Sequence, residues 1–338
     1  MKLTQKLKKH PKASKAAILI FGLAISAFCL FLSFAKVNIP KTFHQLQQID
    51  PWAVVVALLL VNIHNFLLAF RWKHLLSPLG KVGYWDAFWS LRLAFFFNAA
   101  LPARLGEPFR IWFLNRRYKL SPARVIGAMG ADRLFDFVTL CVWVYISALI
   151  LNLRGTLPTT KTIVGGGIAI LGIIFVLARL PKTSRHLWLN NILQFHAKLF
   201  EGISSLKNPR VLLIALPVSF LGWVIEAAIL VTFSYGLDDP FSIYRAFMVV
   251  AAVNIAISIP SSPGNIGTFQ LGAMTMLIFL NVPKTQAGAI AILYHLIQLV
   301  PTTLIGAAGY YFHFVKGRKK TESLSIEEIG EKLEKTAD

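Results

Sequence analysis

Eight apolar runs occupy most of this chain, and they constrain its fold more than any motif does. Most are long enough for a helix that crosses a hydrocarbon layer about 30 Å thick. The short alternating strands that build membrane barrels are not visible in the sequence. Because hydrophobic residues fill 56% of 338 positions, the sequence predicts an all-α polytopic membrane protein. The runs lie at 16–35, 51–70, 85–101, 123–151, 161–180, 211–236, 243–260 and 285–315.

The formal net charge of +20 is distributed as membrane topology requires, with Lys and Arg concentrated in alternate connections between the runs. A basic stretch precedes the first run, and the positive-inside rule places it in the cytoplasm. Six crossings return the C-terminus to the same side. We therefore expect a multi-pass protein of the plasma (inner) membrane with both termini cytoplasmic. Its basic face suits anionic lipid head groups, and nucleic acid is not an expected partner.

The same pattern divides the chain into one membrane domain and two tails. We expect a basic cytoplasmic tail over 1–15, a single transmembrane domain over 16–316 and a polar cytoplasmic tail over 317–338, which is too short for a catalytic domain. Residues 36–50 are predicted to form a short outer loop. The spacing of apolar residues over 187–206 predicts an amphipathic helix at the inner interface.

Two of the apolar runs end at a break. The first break carries two prolines and a glycine, and basic residues on both flanks of 85–115 place both of its ends in the cytoplasm. The pattern Pro-x-x-[Leu/Ile]-Gly occurs at 102–106 in the first break and again at 263–267 in the second. The second hairpin is expected to enter the membrane from outside. The sequence therefore predicts about six full spanning helices plus two broken re-entrant helical hairpins in an inverted repeat, with the breaks meeting near the midplane.

These breaks expose backbone groups that suit an anion. The first turn of each new half-helix has unpaired N–H groups and the positive end of the helix dipole. Gly106 and Gly267 lack a Cβ, so we expect a ligand to approach the backbone there. Phosphate is the usual anion at such a terminus, and Arg104 offers it a permanently charged fork. The predicted substrate-binding residues are Arg104, Gly106, Glu107, Arg110, Pro263, Gly264 and Gly267.

Two of these side chains keep alternative roles at this point. Glu107 either pairs with Arg104 or complements the dipole at the start of the half-helix. Arg110 lies one turn further on, and it either contacts the ligand or extends to the membrane interface as a snorkelling residue.

A second group of charges lies inside the fourth run. Asp132 and Asp136 share one face of a helix, with Arg133 between them in sequence. One interpretation is a structural ion pair with an arginine of the first hairpin. The other is a gate or a proton-linked site, since charge inside a membrane is costly and tends to be functional. Glu226 is a further gating or ion-coupling candidate, although local pairing more often explains a lone polar residue. His295 and Gln298 are interpreted in the same way.

Together these motifs resemble the lysylphosphatidylglycerol synthase transmembrane-region family, also described as flippase-like. The resemblance covers roughly 15–315 and implies a polytopic protein that moves or handles lipids. Two departures are Asp132, where the family commonly has Glu, and Gln270, where an acidic residue often stands. We expect no soluble synthase domain, so lysyl transfer is not implied. The motifs are Leu101-Pro102-x-Arg104-x-Gly106-Glu107-x-x-Arg110, Asp132-Arg133-x-x-Asp136 and Pro260-x-x-Pro263-Gly264-x-x-Gly267.

The sequence favours a lipid transporter over an enzyme. No metal-ligand spacing, P-loop or nucleophile elbow is present, so we expect no catalytic residue, no metal and no cofactor. The expected substrate is an anionic phospholipid or a polyprenyl-phosphate-linked lipid. One alternative is a non-transporting membrane subunit that supports a soluble or membrane lipid-modifying transferase. A less favoured alternative is an enzyme that acts on the lipid head group with Asp132 and Asp136 as acid and base.

Overall fold

The computed structural model of the chain describes residues 11–35, 37–101, 106–153, 187–235, 240, 242–259 and 261–316. Every regular element in these ranges is helical, which confirms the predicted class. The helices are α1 (Pro11–Phe34), α2 (Ile39–Gln47), α3 (Pro51–Leu76), α4 (Tyr84–Ala100), α5 (Gly106–Tyr118), α6 (Pro122–Ile150), α7 (Leu187–Gly202), α8 (Pro209–Ser234), α9 (Ile243–Ala256), α10 (Thr268–Phe279) and α11 (Lys284–Tyr310). Short 3-10 turns lie at Ile203–Lys207 and Pro263–Asn265, and a π-helical turn at Tyr311–Lys316 follows α11.

Several helices begin at a proline, which needs no N–H partner in the first turn. Pro51, Pro122 and Pro209 each occupy that position. The preceding Asp50 accepts a hydrogen bond from the Trp52 N–H at 2.9 Å, and Asn208 caps α8 in the same way. The starts of α3 and α8 are therefore encoded locally.

Four helices in the described part of the chain are long and apolar enough to cross a membrane: α3, α6, α8 and the helix Lys284–Val315. A fifth crossing is reached if Ile20–Phe34 and Ile39–Gln47, which are bent by 82°, act as one span. The prediction of a plain loop over 36–50 is therefore wrong, because Asn38 caps a helix there through the Lys41 N–H at 3.0 Å. The predicted helix at 161–180 lies outside the described residues.

The first broken segment forms a hairpin, as predicted. Its two ends meet where the Tyr118 hydroxyl, at the end of α5, donates to the Asp86 carboxylate near the start of α4. The Gly83 N–H donates to the same hydroxyl at 3.1 Å, and Arg117 pairs with Asp86 at 2.9 Å. These contacts place the entry and the exit of the hairpin side by side.

The second broken segment is fastened by the first helix. The Ser262 N–H donates to Ser26 Oγ at 2.9 Å, and a Cβ at Gly267 would lie 2.4 Å from the Ser26 carbonyl oxygen. Beyond the turn, α10 packs so closely on α9 that a Cβ at Gly272 would lie 2.7 Å from the Ala252 carbonyl oxygen. Since α4 also contacts the turn Pro263–Asn265, the first hairpin lies against the second break.

The buried apolar residues form two cores. One gathers residues of α9, α10 and α11, the other gathers residues of α4, α5 and α6, and α3 and α8 contribute to both. Large apolar side chains on the outer faces stay exposed, for example Leu213, Phe31 and Leu304. Apolar surface on this scale is typical of helices that face lipid.

Candidate functional site

A buried ion network joins α3, α6 and α8. Arg71 of α3 is 2% exposed; it donates hydrogen bonds to Asp136 and Ser219 and forms an ion pair with Asp132. Its Nη2 lies 2.8 Å from Asp132 Oδ1, and its Nη1 lies 2.5 Å from Asp136 Oδ1 and 2.7 Å from Ser219 Oγ. Short charge-assisted contacts of this kind offset the cost of enclosing the ions. The interpretation of the acidic pair as a structural ion pair is therefore supported, with Arg71 as its main partner.

The first hairpin reaches this network through Arg110 of α5. Its guanidinium lies 3.5 Å from the centre of the Trp72 ring, and Trp72 is held in place by donating to Ser90 Oγ at 3.1 Å. Its ion contacts are long, at 3.5 Å to Asp132 Oδ2 and 3.9 Å to Glu107 Oε2, and its Nε has no hydrogen-bond partner. The snorkelling alternative is wrong because the side chain is buried. Arg110 is thus buried but loosely paired.

The outer edge of the network is formed by Glu107 and Arg133. Arg133 is exposed, and its Nη2 lies 3.3 Å from Glu107 Oε1. Glu107 therefore pairs with Arg133 and, weakly, with Arg110, while its place in the first turn of α5 also suits the helix dipole. Its other predicted partner, Arg104, lies outside the described residues.

The glycines at the breaks have a different local role from the predicted one. A Cβ at Gly106 would lie 1.8 Å from the Ala94 carbonyl oxygen, so this glycine allows α4 and α5 to touch. Its N–H already donates to Asn98 Oδ1 at 2.8 Å. The prediction that Gly106 leaves its backbone open to a ligand is therefore corrected: protein atoms fill that space.

The second break is closed by a chain of hydrogen bonds. The Gly267 N–H donates to Gln270 Oε1 at 2.7 Å, and Gln270 Nε2 lies 2.8 Å from His295 Nδ1. His295 Nε2 donates to the Gly264 carbonyl at 2.9 Å, which fixes the neutral tautomer with Nδ1 as acceptor. Gly264, at φ +70°, follows Pro263 in the 3-10 turn. Gln270, the departure from the family pattern, thus caps α10.

Glu226 is paired rather than isolated. Its carboxylate accepts from the Tyr294 hydroxyl and from Gln298 Nε2 at 2.6 Å, and it lies 3.0 Å from His64 Nδ1. The prediction of local pairing for Glu226 and Gln298 is confirmed. Within the described residues, no group of three or more His, Cys, Asp or Glu side chains is placed to hold a metal ion.

The Arg71 network and the Glu226 cluster are two levels of one polar seam between α3 and α8. His64 and Arg71 are seven residues apart on α3, and their partners Glu226 and Ser219 are seven apart on α8. At 1.5 Å per residue, the two levels are separated by roughly 10 Å along the helices. The seam therefore extends from the first hairpin to α11, where Tyr294 and Gln298 contact Glu226.

Sequence reasoning missed two buried arginines. Arg71 lies among the basic residues that flank the first hairpin, because the apolar run ends at residue 70, although α3 continues to Leu76. Arg92 lies within the run 85–101 and was not predicted as a site residue, yet it is fully buried. A signal for Arg92 was present, since the turns on both sides of it are largely apolar, whereas Lys73 and His74 follow Arg71.

Comparison with known proteins places these features in a family. Residues 19–306 match the family described as Lysylphosphatidylglycerol synthase TM region. A UPF0104 membrane protein of Methanocaldococcus jannaschii is 29% identical over 221 residues, or 64% of this chain and 93% of that protein. A second one from the same archaeon is 21% identical over 329 residues, or 87% of this chain and 94% of that protein.

A third relative, with a different name, aligns with a similarly large share of this chain. Glycosyltransferase AglD of Haloferax volcanii is 21% identical over 346 residues, or 89% of this chain but only 55% of AglD. The family match itself includes both breaks, the Arg71 network and the Glu226 cluster. The chain is therefore a membrane protein that belongs to the Lysylphosphatidylglycerol synthase TM region family.

Proposed function

We propose that this protein binds the anionic head group of a membrane lipid and moves that lipid between leaflets. The observation that carries the proposal is Arg110, a buried cation with long ion contacts and an unused Nε donor on the broken hairpin. Buried guanidinium groups usually make short contacts with their anions, so the long contacts of Arg110 leave it able to bind a further one. A phospholipid and a polyprenyl-phosphate-linked lipid both supply such an anion.

The segment of the chain just before Arg110 adds positive electrostatic potential around its guanidinium. Residues 102–105 connect α4 to α5 and contain Arg104, and the N-terminal end of α5 carries the positive end of a helix dipole. We propose that Arg104 and Arg110 hold the phosphate while the acyl or prenyl chains remain in lipid. On the second hairpin, Pro263, Gly264 and Gly267 shape the opposite wall.

Movement between leaflets requires the two hairpins to enter from opposite faces, which is part of this proposal. Rocking of one half against the other would then expose the polar seam to each side in turn. The sequence has no nucleotide-binding motif, so we propose that a gradient or the lipid's own imbalance drives the movement. Asp132, Arg133, Asp136 and Glu226 are the candidates for gating or ion coupling.

An exchange assay in vesicles tests the proposal. Wild type, Arg104→Ala and the matched Arg116→Ala are reconstituted with a fluorescent phosphatidylglycerol, and the fraction reachable by an external quencher is followed over time. We expect wild type and Arg116→Ala to exchange the lipid, because Arg116 is exposed in the last turn of α5. Arg104→Ala is expected to fall to the rate of protein-free vesicles.

Two results would contradict the proposal. One is exchange by wild type no faster than in protein-free vesicles, and the other is Arg104→Ala exchange at the wild-type rate. Labelled phosphatidylcholine provides the charge control, because a site for anions should move it more slowly.

The second candidate function is a membrane subunit that supports a lipid-linked transferase. The name of AglD and the 55% of its length covered by this chain favour it. It predicts that a transferase co-purifies with this protein, survives Arg104→Ala and is lost when residues 317–338 are deleted. A head-group enzyme that uses Asp132 and Asp136 is less favoured, since both carboxylates are engaged by Arg71.

A further inference from the structure

Arg92 is a buried charge that forms no ion pair with the Arg71 network. Its side chain is 0% exposed in α4, and its Nε, Nη1 and Nη2 have no hydrogen-bond partner. Phe95 and Phe88 lie beside the guanidinium, with ring centres 4.8 and 5.7 Å from its central carbon. No carboxylate among the described residues pairs with it.

This arrangement is costly unless a ligand completes it. Arginine stays charged in proteins, and an enclosed charge without a partner opposes folding far more strongly than an exposed one. Interaction with the two aromatic rings compensates for only part of the hydration free energy that the guanidinium loses on burial. A buried donor group with no protein acceptor therefore points to an acceptor brought by something else.

The position of Arg92 indicates what that acceptor is. Arg92 and Arg110 belong to the two packed helices of the first hairpin, and Arg110 stacks on Trp72, which donates to Ser90, two residues before Arg92. The Nε of Arg110 has no hydrogen-bond partner. Two guanidinium groups that repel each other are stabilised by an anion that accepts from both, and phosphate oxygens match their fork geometry. The apolar rings beside Arg92 exclude water from the same space.

We propose that Arg92 and Arg110 together form a binding site for a phosphate group, and that the group belongs to a lipid. This inference rests on the proposed function and deepens it, because it adds Arg92 of α4 to the arginines that hold the phosphate. Arg92 binds the phosphate, and Arg71 remains a structural partner of Asp132 and Asp136. Since protein encloses the guanidinium, α4 must separate from a neighbour before the anion enters.

The test measures binding without transport. The full chain in detergent is titrated with dihexanoyl phosphatidic acid, with dihexanoylglycerol and with inorganic phosphate, and the melting temperature is read from tryptophan fluorescence. Phosphatidic acid should raise the melting temperature of wild type. Arg92→Met should weaken this response about tenfold or more, since it removes charged hydrogen bonds. Arg92→Lys, which keeps the charge but loses the fork, should be intermediate.

The lipid-free melting temperature separates a ligand contact from a structural one. We expect Arg92→Met to be at least as stable as wild type without lipid, because it removes an uncompensated charge. A folding failure of Arg92→Met, or equal responses of wild type, Arg92→Met and Arg92→Lys, would overturn the inference. An equal response to dihexanoylglycerol, which has no phosphate, would do the same.

Two further comparisons identify where the phosphate comes from and separate binding at this site from transport. A response to inorganic phosphate as strong as that to phosphatidic acid would support the phosphate site but overturn its assignment to a lipid. Binding that depends on Arg92 without leaflet exchange would leave this site standing and remove the transporter proposal. If Arg92→Met changes neither binding nor leaflet exchange, the Arg92 site is overturned and the transporter proposal stands.

Discussion

At the scale of single residues, the buried arginines differ in how completely they are paired. Arg71 makes three contacts of 2.8 Å or less, Arg110 makes two of 3.5 Å or more, and Arg92 makes none within the described chain. Pairing therefore decreases from the helix interface of α3 toward the hairpin. We interpret tight pairing as structural and incomplete pairing as a sign of ligand binding.

Removal of Arg71 should be strongly destabilising. Arg71→Met leaves Asp132 and Asp136 without their short contacts in a buried site, and breaking a buried pair from one side costs about 3–5 kcal/mol. Thermal unfolding in detergent measures the change. The matched Arg133→Met alters a side chain that is 62% exposed, and its expected cost is about 0–1 kcal/mol. Equal melting temperatures of the two variants would contradict the structural role of Arg71.

Residue types alone predicted part of this site. One interpretation of Asp132 and Asp136 was an ion pair with a hairpin arginine, and Arg110 lies 3.5 Å from Asp132. The partner that both carboxylates share is Arg71. Arg71 was not predicted, because a charged residue ends an apolar run without ending the helix. The unpaired state of Arg92 depends on its neighbours in space, which a single sequence does not provide.

At the scale of elements, the hairpin of α4 and α5 depends on one glycine. Its existence followed from two prolines and a glycine between basic flanks, and the contact of Tyr118 with Asp86 confirms that its ends meet. The part of Gly106 in packing was not predictable, because the Ala94 carbonyl that faces it lies twelve residues away on another helix. The same holds for Ser26 at the second break, which lies on α1.

A methyl group at Gly106 should force the two helices apart. Gly106→Ala places a Cβ 1.8 Å from the Ala94 carbonyl oxygen, which the backbone of α4 fixes, and 2.7 Å from the side-chain atom Asn98 Oδ1. Overpacking of this kind typically costs about 1–3 kcal/mol. The matched change is Gly130→Ala in α6, where no atom lies within 4 Å, and helix propensity predicts a gain of about 1 kcal/mol. A Gly106→Ala variant as stable as wild type in thermal unfolding would show that the helices do not touch there.

At the scale of the whole molecule, two cores share α3 and α8, and each core contains one hairpin. Composition predicted the helical class, and hydropathy located the four long spans. The total number of crossings and the inverted repeat remain predictions. The two breaks are also closed differently, by Asn98 in one and by Gln270 in the other, so their shared motif does not fix a shared local structure.

The opposed entry of the two hairpins is the central claim, and labelling of single cysteines from each side of the membrane tests it most directly. Cys29 and Cys141 are first replaced, and one cysteine is then introduced as Lys81→Cys, Arg116→Cys, Ser242→Cys or Lys284→Cys, all at exposed positions that flank the hairpins. The account predicts that an impermeant reagent labels the first two from the cytoplasmic face and the last two from the opposite face. Labelling of all four from one face would contradict it.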